Sequence, residues 1–281
     1  MESKKKAVTG LLFILPSLLG MVVFVIAPFF MSVYYTFTQG ITEVAFVGLG
    51  NFIDLFGNPT FTLAVKNTVI FIGIGVPLVF IIALSLSFMM MNSKFVVARW
   101  ALLTPLMVPI STVIIGWQFL FDRLGNGILE KLGLQTINFF GEKYAMAVII
   151  MMLVWKNIGY LVVIFTSAIS VIPQEYQEVF RLESKSQVKY GTMVVLPLIT
   201  PMAFFAIIIS IMNSFKIFRE IHALYGENVP KSIYMLQHFM NNNFLKLNYQ
   251  RLSSAAFLLT TVIFILIWVF MKAQNKYMSD L

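Results

Sequence analysis

The chain has 281 residues, of which 59% are hydrophobic and only 11% are charged. A soluble domain of this length carries about a quarter charged residues, so the composition excludes a soluble enzyme with a single anchor and indicates an integral membrane protein. The net charge of +8 does not indicate nucleic-acid binding, because lysines flanking apolar runs are the ordinary topology signal. The absence of cysteine excludes disulfides, thiolate nucleophiles and cysteine-based metal centres.

Charge-free intervals mark the spans in order. Met1-Glu-Ser-Lys-Lys-Lys6 is a basic head, and the apolar stretch after it is longer than a secretory signal core. It reads as an uncleaved first span, about Leu11 to Phe37, with its lysines inside. Phe46 to Phe56 is a short amphipathic segment ending at Gly57-Asn58-Pro59. The second span runs from about Thr62 to Met91, with Lys66-Asn67-Thr68 near its start and Gly73, Gly75, Ser85 and Ser87 permitting close packing. The third runs from about Trp100 to Phe121, broken by Pro105 and Pro109, and Asp122 to Lys143 is expected outside. The fourth runs from about Tyr144 to Ser170. The fifth runs from about Val194 to Ile217, followed by an external polar segment from Phe218 to Arg251. The sixth runs from about Leu252 to Met271, and Lys272 to Lys276 returns inside. The predicted fold is an all-α membrane protein of six transmembrane helices, with both termini cytoplasmic, as a single domain over residues 1–281.

The fourth and fifth spans are joined by an ordered polar stretch where a short turn would suffice. From Val171 to Pro201 the sequence predicts a short amphipathic helix. Pro173 suits a first helical position, where its missing N–H costs nothing. Glu175 then faces the positive end of the helix dipole. Tyr176, Val179 and Phe180 recur at helical spacing and form an apolar ridge. Arg181, Lys185 and Lys189 form a basic stripe. By physics alone this is either an interfacial helix among acidic lipids or a docking helix.

Ile172-Pro173, Glu178, Glu183 and Leu196-Pro197 stand where the EAA loop of binding-protein-dependent ABC importer permeases has Ile-Pro, Glu-Ala-Ala, Asp-Gly-Ala and Leu-Pro. The stretch resembles that loop. Val179-Phe180 replaces the two alanines, and Glu183-Ser184-Lys185 replaces Asp-Gly-Ala, whose glycine allows a turn between two short helices. Two further stretches are similar to the maltose and glycerol-phosphate group of sugar permeases. One is Gly48-Leu-Gly-Asn-Phe-Ile-Asp-Leu-Phe56 after the first span. The other is Leu224-Tyr-Gly-Glu-Asn-Val-Pro230 before the last. Trp155-Lys156-Asn157-Ile158-Gly159-Tyr160 also resembles a Trp-Lys…Gly sequence of the family.

The resemblance implies a permease subunit in a bacterial inner membrane, in contact with lipid. It would pair with a second, related permease as a heterodimer. Two cytoplasmic ATPases and an extracellular substrate-binding protein would complete the importer. The loop, about 171–194, would be the cytoplasmic coupling helix, with Pro173, Glu175, Tyr176, Glu178, Val179, Phe180, Glu183, Ser184 and Lys185 meeting the ATPase. The flanking similarities favour carbohydrate over amino acids, peptides or polyamines. An ion-coupled transporter is disfavoured because the mapped spans contain no acidic residue.

Catalysis finds no support in the residues. His222 and His238 do not have zinc spacing, and no phosphate-binding glycine–lysine loop is present. No catalytic residue, metal or cofactor is expected. Polar and aromatic groups in or near the spans are the substrate-pathway candidates: Asn67, Trp117, Gln118, Trp155, Lys156, Asn157, Tyr160 and Asn213. Amides supply hydrogen bonds and aromatic faces supply stacking for a neutral hydrophilic ligand. The plainer role for each is an interhelical hydrogen bond or a place in the interfacial aromatic belt. For Lys156 it is pairing with a carbonyl or a partner subunit's carboxylate.

Overall fold

The computed structural model of the protein describes residues 13–40, 44–90 and 96–279. Lys4, Lys5, Lys6 and Lys94, which bear on the expected orientation, lie outside the described residues.

Among the described residues, five helices are long and apolar enough to cross a membrane: Phe13–Phe37, Pro59–Met89, Ala145–Ser170, Thr200–Tyr225 and Tyr249–Lys276. The pair Trp100–Met107 and Ile110–Lys131, bent by 104°, makes a sixth if counted as one broken span. A proline causes the break. Pro109 has ψ 145° and caps the second helix, and the residue before a proline is pushed out of the helical region. The second limb also runs further than the sequence suggested. Asp122 and Arg123 are helical, within a π-helical turn over Phe119–Gly125. The polar loop therefore begins after Lys131, not at Asp122.

The fifth helix differs in the same way. It was expected to end at Ile217, but helical structure continues through Phe218–Tyr225, so Glu220 lies within the helical stretch. Ile217 and Ile221 continue the buried stripe. Their spacing, extended by Leu224, keeps one face apolar past Lys216.

Contacts divide the chain into two compact units. The first comprises the described residues of Met1–Thr62 and Phe239–Ile265, and the second those of Leu63–His238 and Leu266–Leu281. In the first unit, Thr38–Gln39 pairs antiparallel with Ala45–Phe46. Asn51, on the Gly50–Phe56 helix, donates from Nδ2 to the carbonyls of Thr36 and Thr38, both at 2.9 Å. That amide satisfies carbonyls which the end of the first helix leaves free. Phe257 packs edge to face on Phe37 and Phe52, which are tilted against each other, all within 6.1 Å.

The second unit holds a buried cluster built on Phe71, Val79, Ile149, Leu153, Phe165, Val195 and Ile221. Two of its helices approach closely at Gly159. A Cβ on Gly159 would fall 1.9 Å from the Leu102 carbonyl oxygen, so only glycine fits there. A Cβ on Gly75 would fall 2.7 Å from Leu153 Cδ2, so that side chain would have to shift, while a Cβ on Gly73 would meet nothing within 4 Å. Ser87 donates to the Ala83 carbonyl within its own helix. Ser85 is exposed.

Candidate functional site

The stretch between the fourth and fifth spans folds as a helix over Gln174–Glu183. Pro173 is its N-cap (ψ 142°) and so stands one position before the expected first turn. Glu175 lies in the first turn and Arg181 in the last, both favourable against the dipole. Ser184 ends the helix in extended backbone (φ −151°, ψ 136°). Any residue adopts that conformation, so serine can occupy the glycine position of the motif. Ser186 then caps the next short helix, its Oγ accepting from the Lys189 N–H at 3.3 Å.

The apolar ridge divides in two. Tyr176 and Val179 are exposed, and Leu182 is 89% exposed. Phe180 instead turns inward, its ring 5.6 Å from that of the buried Tyr190. Burial raises the pKa of the Tyr190 phenol, and Arg181 opposes that shift. Glu178, Glu183 and Lys185 are exposed and Ser184 is half-buried. The outward surface is therefore Tyr176, Val179 and Leu182 with a charged border. The sequence had not singled out Leu182, although it continues the three-residue spacing from Tyr176 and Val179.

The pathway candidates separate into a cluster and several structural ties. Trp117 lies edge to face with Trp155 at 6.0 Å and stacks on Phe121 at 5.6 Å. Next to Trp155, Lys156 pairs with Glu220 of the helical stretch that follows the fifth span. Glu220 is 1% exposed, and its second oxygen, Oε2, has no hydrogen-bond partner. One turn along, the Tyr160 hydroxyl lies 3.4 Å from Ser210 Oγ. Gln118 is exposed and Asn213 is half-buried.

Asn67 and Asn157 make hydrogen bonds within the fold. Asn67 Nδ2 donates to the carbonyls of Lys231 (2.6 Å) and Tyr234 (3.0 Å). It thereby ties down the segment that precedes the Leu236–Leu245 helix. Asn157 donates to Leu153 within its own helix at 2.8 Å. Glu142 reinforces the same segment by accepting from the N–H groups of Lys231 (2.9 Å) and Ser232 (2.6 Å).

Sequence reasoning missed Glu220, which it placed in an external loop. Contrary to the expectation of spans free of acidic residues, the fifth contains a carboxylate. Glu220 lies in the apolar stretch Thr200–Tyr225, and the half-buried Lys156 pairs with it. The signal that could have found it is the apolar spacing of Ile217, Ile221 and Leu224.

No protein-family profile matches the chain. It is 31% identical over 248 residues to the arabinooligosaccharides transport system permease protein AraP of Bacillus subtilis, covering 82% of this chain and 76% of that one. The chain belongs to the sugar ABC importer permeases. It is also 30% identical over 224 residues to the probable starch degradation products permease AmyD of Thermoanaerobacterium thermosulfurigenes, covering 74% of each. Among solved structures, a chain of the bacterial alginate ABC transporter superposes with a TM-score of 0.82 at 18% identity. That match covers 96% of this chain and 94% of the other, and shows a shared fold. A member of this family is a multi-pass membrane protein whose work is transport. Its family, and not an absence of acidic groups in the spans, is what sets it apart from ion-coupled carriers.

Proposed function

We propose that this chain is one membrane-spanning subunit of a bacterial importer for a carbohydrate. It pairs with a second, related permease and receives its substrate from an extracellular binding protein. Two cytoplasmic ATPases drive it by pressing on the Gln174–Glu183 helix. The whole chain acts as one permease domain with both termini in the cytoplasm. Trp117, Trp155, Lys156 and Tyr160 border the route that the substrate takes.

The observation that carries the reading is the divided ridge of the Gln174–Glu183 helix. Three large apolar side chains point outward from a helix that is otherwise charged, while Phe180 holds the helix to the body of the chain. Such a face suits a groove in another protein, read through residues three apart. It fits the family's carbohydrate importers, in which a motor must reach the membrane subunits.

The test is affinity isolation of the tagged chain from detergent-solubilised membranes. The expected result is recovery of an ATPase and a second permease. Val179→Asp combined with Leu182→Asp should lose the ATPase and keep the permease. Retention of the full complement of ATPase by that double variant would refute the coupling role of the helix.

A further inference from the structure

A helix that receives force from a motor is useful only if it cannot swing independently. The Gln174–Glu183 helix is followed by an extended link at Ser184, which gives no rigidity of its own. What crosses that link is the contact between Phe180 and Tyr190, with ring centroids 5.6 Å apart and planes at 53°. Tyr190 is buried in the core cluster, and Phe180 packs against that cluster from outside. The next residue, Gly191, is also buried, and a Cβ there would lie 3.3 Å from Phe88 Cε1 and Cζ. Phe88 stands near the end of the second span, Pro59–Met89, and packs against the same cluster. Close-packed interiors transmit displacement instead of absorbing it.

We infer that the Phe180–Tyr190 ring contact, continued by Phe88 against the backbone of Gly191, forms a link that makes the Gln174–Glu183 helix move with the second span as one body. Phe180 is a positioning residue, distinct from the outward Tyr176, Val179 and Leu182 that meet the motor. Gly191 is what lets the Phe88 ring sit against the backbone beside Tyr190. The inference rests on the coupling role given to this helix under the proposed function.

The test is a distance measurement in the assembled transporter. The chain contains no cysteine, so Gln174→Cys, at the start of the helix and apart from its outward apolar face, and Met89→Cys give its only two labelling sites, both at exposed positions. Spin labels placed there report the separation of the helix from the end of the second span. Measurements are made without nucleotide and after trapping with ATP and vanadate, using cysteine-free partner subunits.

The expected result is the same distance distribution in both states for the otherwise native chain. With Phe180→Ala or Phe88→Ala the distribution should shift between the states, and Phe180→Tyr should restore the native behaviour. The double variant should be no worse than the worse single one, since both substitutions break one chain of contacts. A native distribution that shifts on trapping would overturn the link. So would a Phe180→Ala distribution that remains the same in both states. If the native chain retains no ATPase and no trapped complex forms, the proposed function itself fails, and the link fails with it.

Discussion

Lys156 of the fourth span, half-buried, and Glu220, buried and 64 residues further along, form an ion pair. Each charge makes the other tolerable at that depth. Removing one partner leaves an uncompensated buried charge, at about 3–5 kcal/mol. Glu220→Leu or Lys156→Met alone should therefore lower the thermal stability of the purified transporter by that order. Lys156→Met combined with Glu220→Leu should recover most of the loss, because a neutral apolar pair incurs no charge-desolvation cost. Thermal unfolding of the four proteins checks this. If the double variant sums the two single losses, the residues do not act as a pair.

Gly159 is fixed by the Leu102 carbonyl. Gly159→Val should cost about 1–3 kcal/mol through overpacking, and should lower the yield of folded protein. Gly73→Val, in a helix of similar character but with open space at that point, should be tolerated. Size-exclusion profiles of the two variants from the same membranes give the comparison.

His238 lies in the Leu236–Leu245 helix, 3% exposed, with Nδ1 accepting from the Met235 N–H at 3.1 Å. Burial, with His222 adding to it, pushes its pKa down from 6.5 to about 4. The folded state thus binds fewer protons than the unfolded state between those values. Stability from this group is full above pH 6.5 and is lost as pH falls towards 4. Linkage sets the ceiling of that loss at about 3 kcal/mol. Thermal unfolding followed from pH 7 to pH 4.5 should show the decline, and His238→Gln should flatten it.

Asn67 holds two carbonyls of the segment before the Leu236–Leu245 helix. Asn67→Ala should cost about 1–3 kcal/mol for the two bonds together and should speed proteolysis near Lys231. Apparent affinity for the transported sugar should not change. A change in affinity without faster proteolysis would instead place Asn67 on the substrate route.

The span pattern and the helix between the fourth and fifth spans were legible because they rest on local signals. Pro173, Glu175 and the spacing of Tyr176 and Val179 specify a helix start and face without help from distant residues. Glu220 was not legible by the same rule. Charge was taken to end a span, and only the tertiary pairing with Lys156 allows a carboxylate to remain in the helix. Phe180 shows the same limit, since periodicity places it on the ridge but cannot say that Tyr190 draws it inward. Asn67 stood out in the sequence because an amide in an apolar helix is conspicuous, but its hydrogen-bond partners were not legible. The carbonyls it serves lie more than 160 residues away in sequence.

The most direct test is the accessibility of one introduced thiol. Leu182→Cys should resist a membrane-impermeant reagent in intact cells and react with it in inside-out vesicles stripped of ATPase. Rebinding the ATPase should protect it again. Leu132→Cys, exposed between the third and fourth spans, should behave in the opposite way. Labelling of Leu182→Cys from the outside of intact cells would contradict the account.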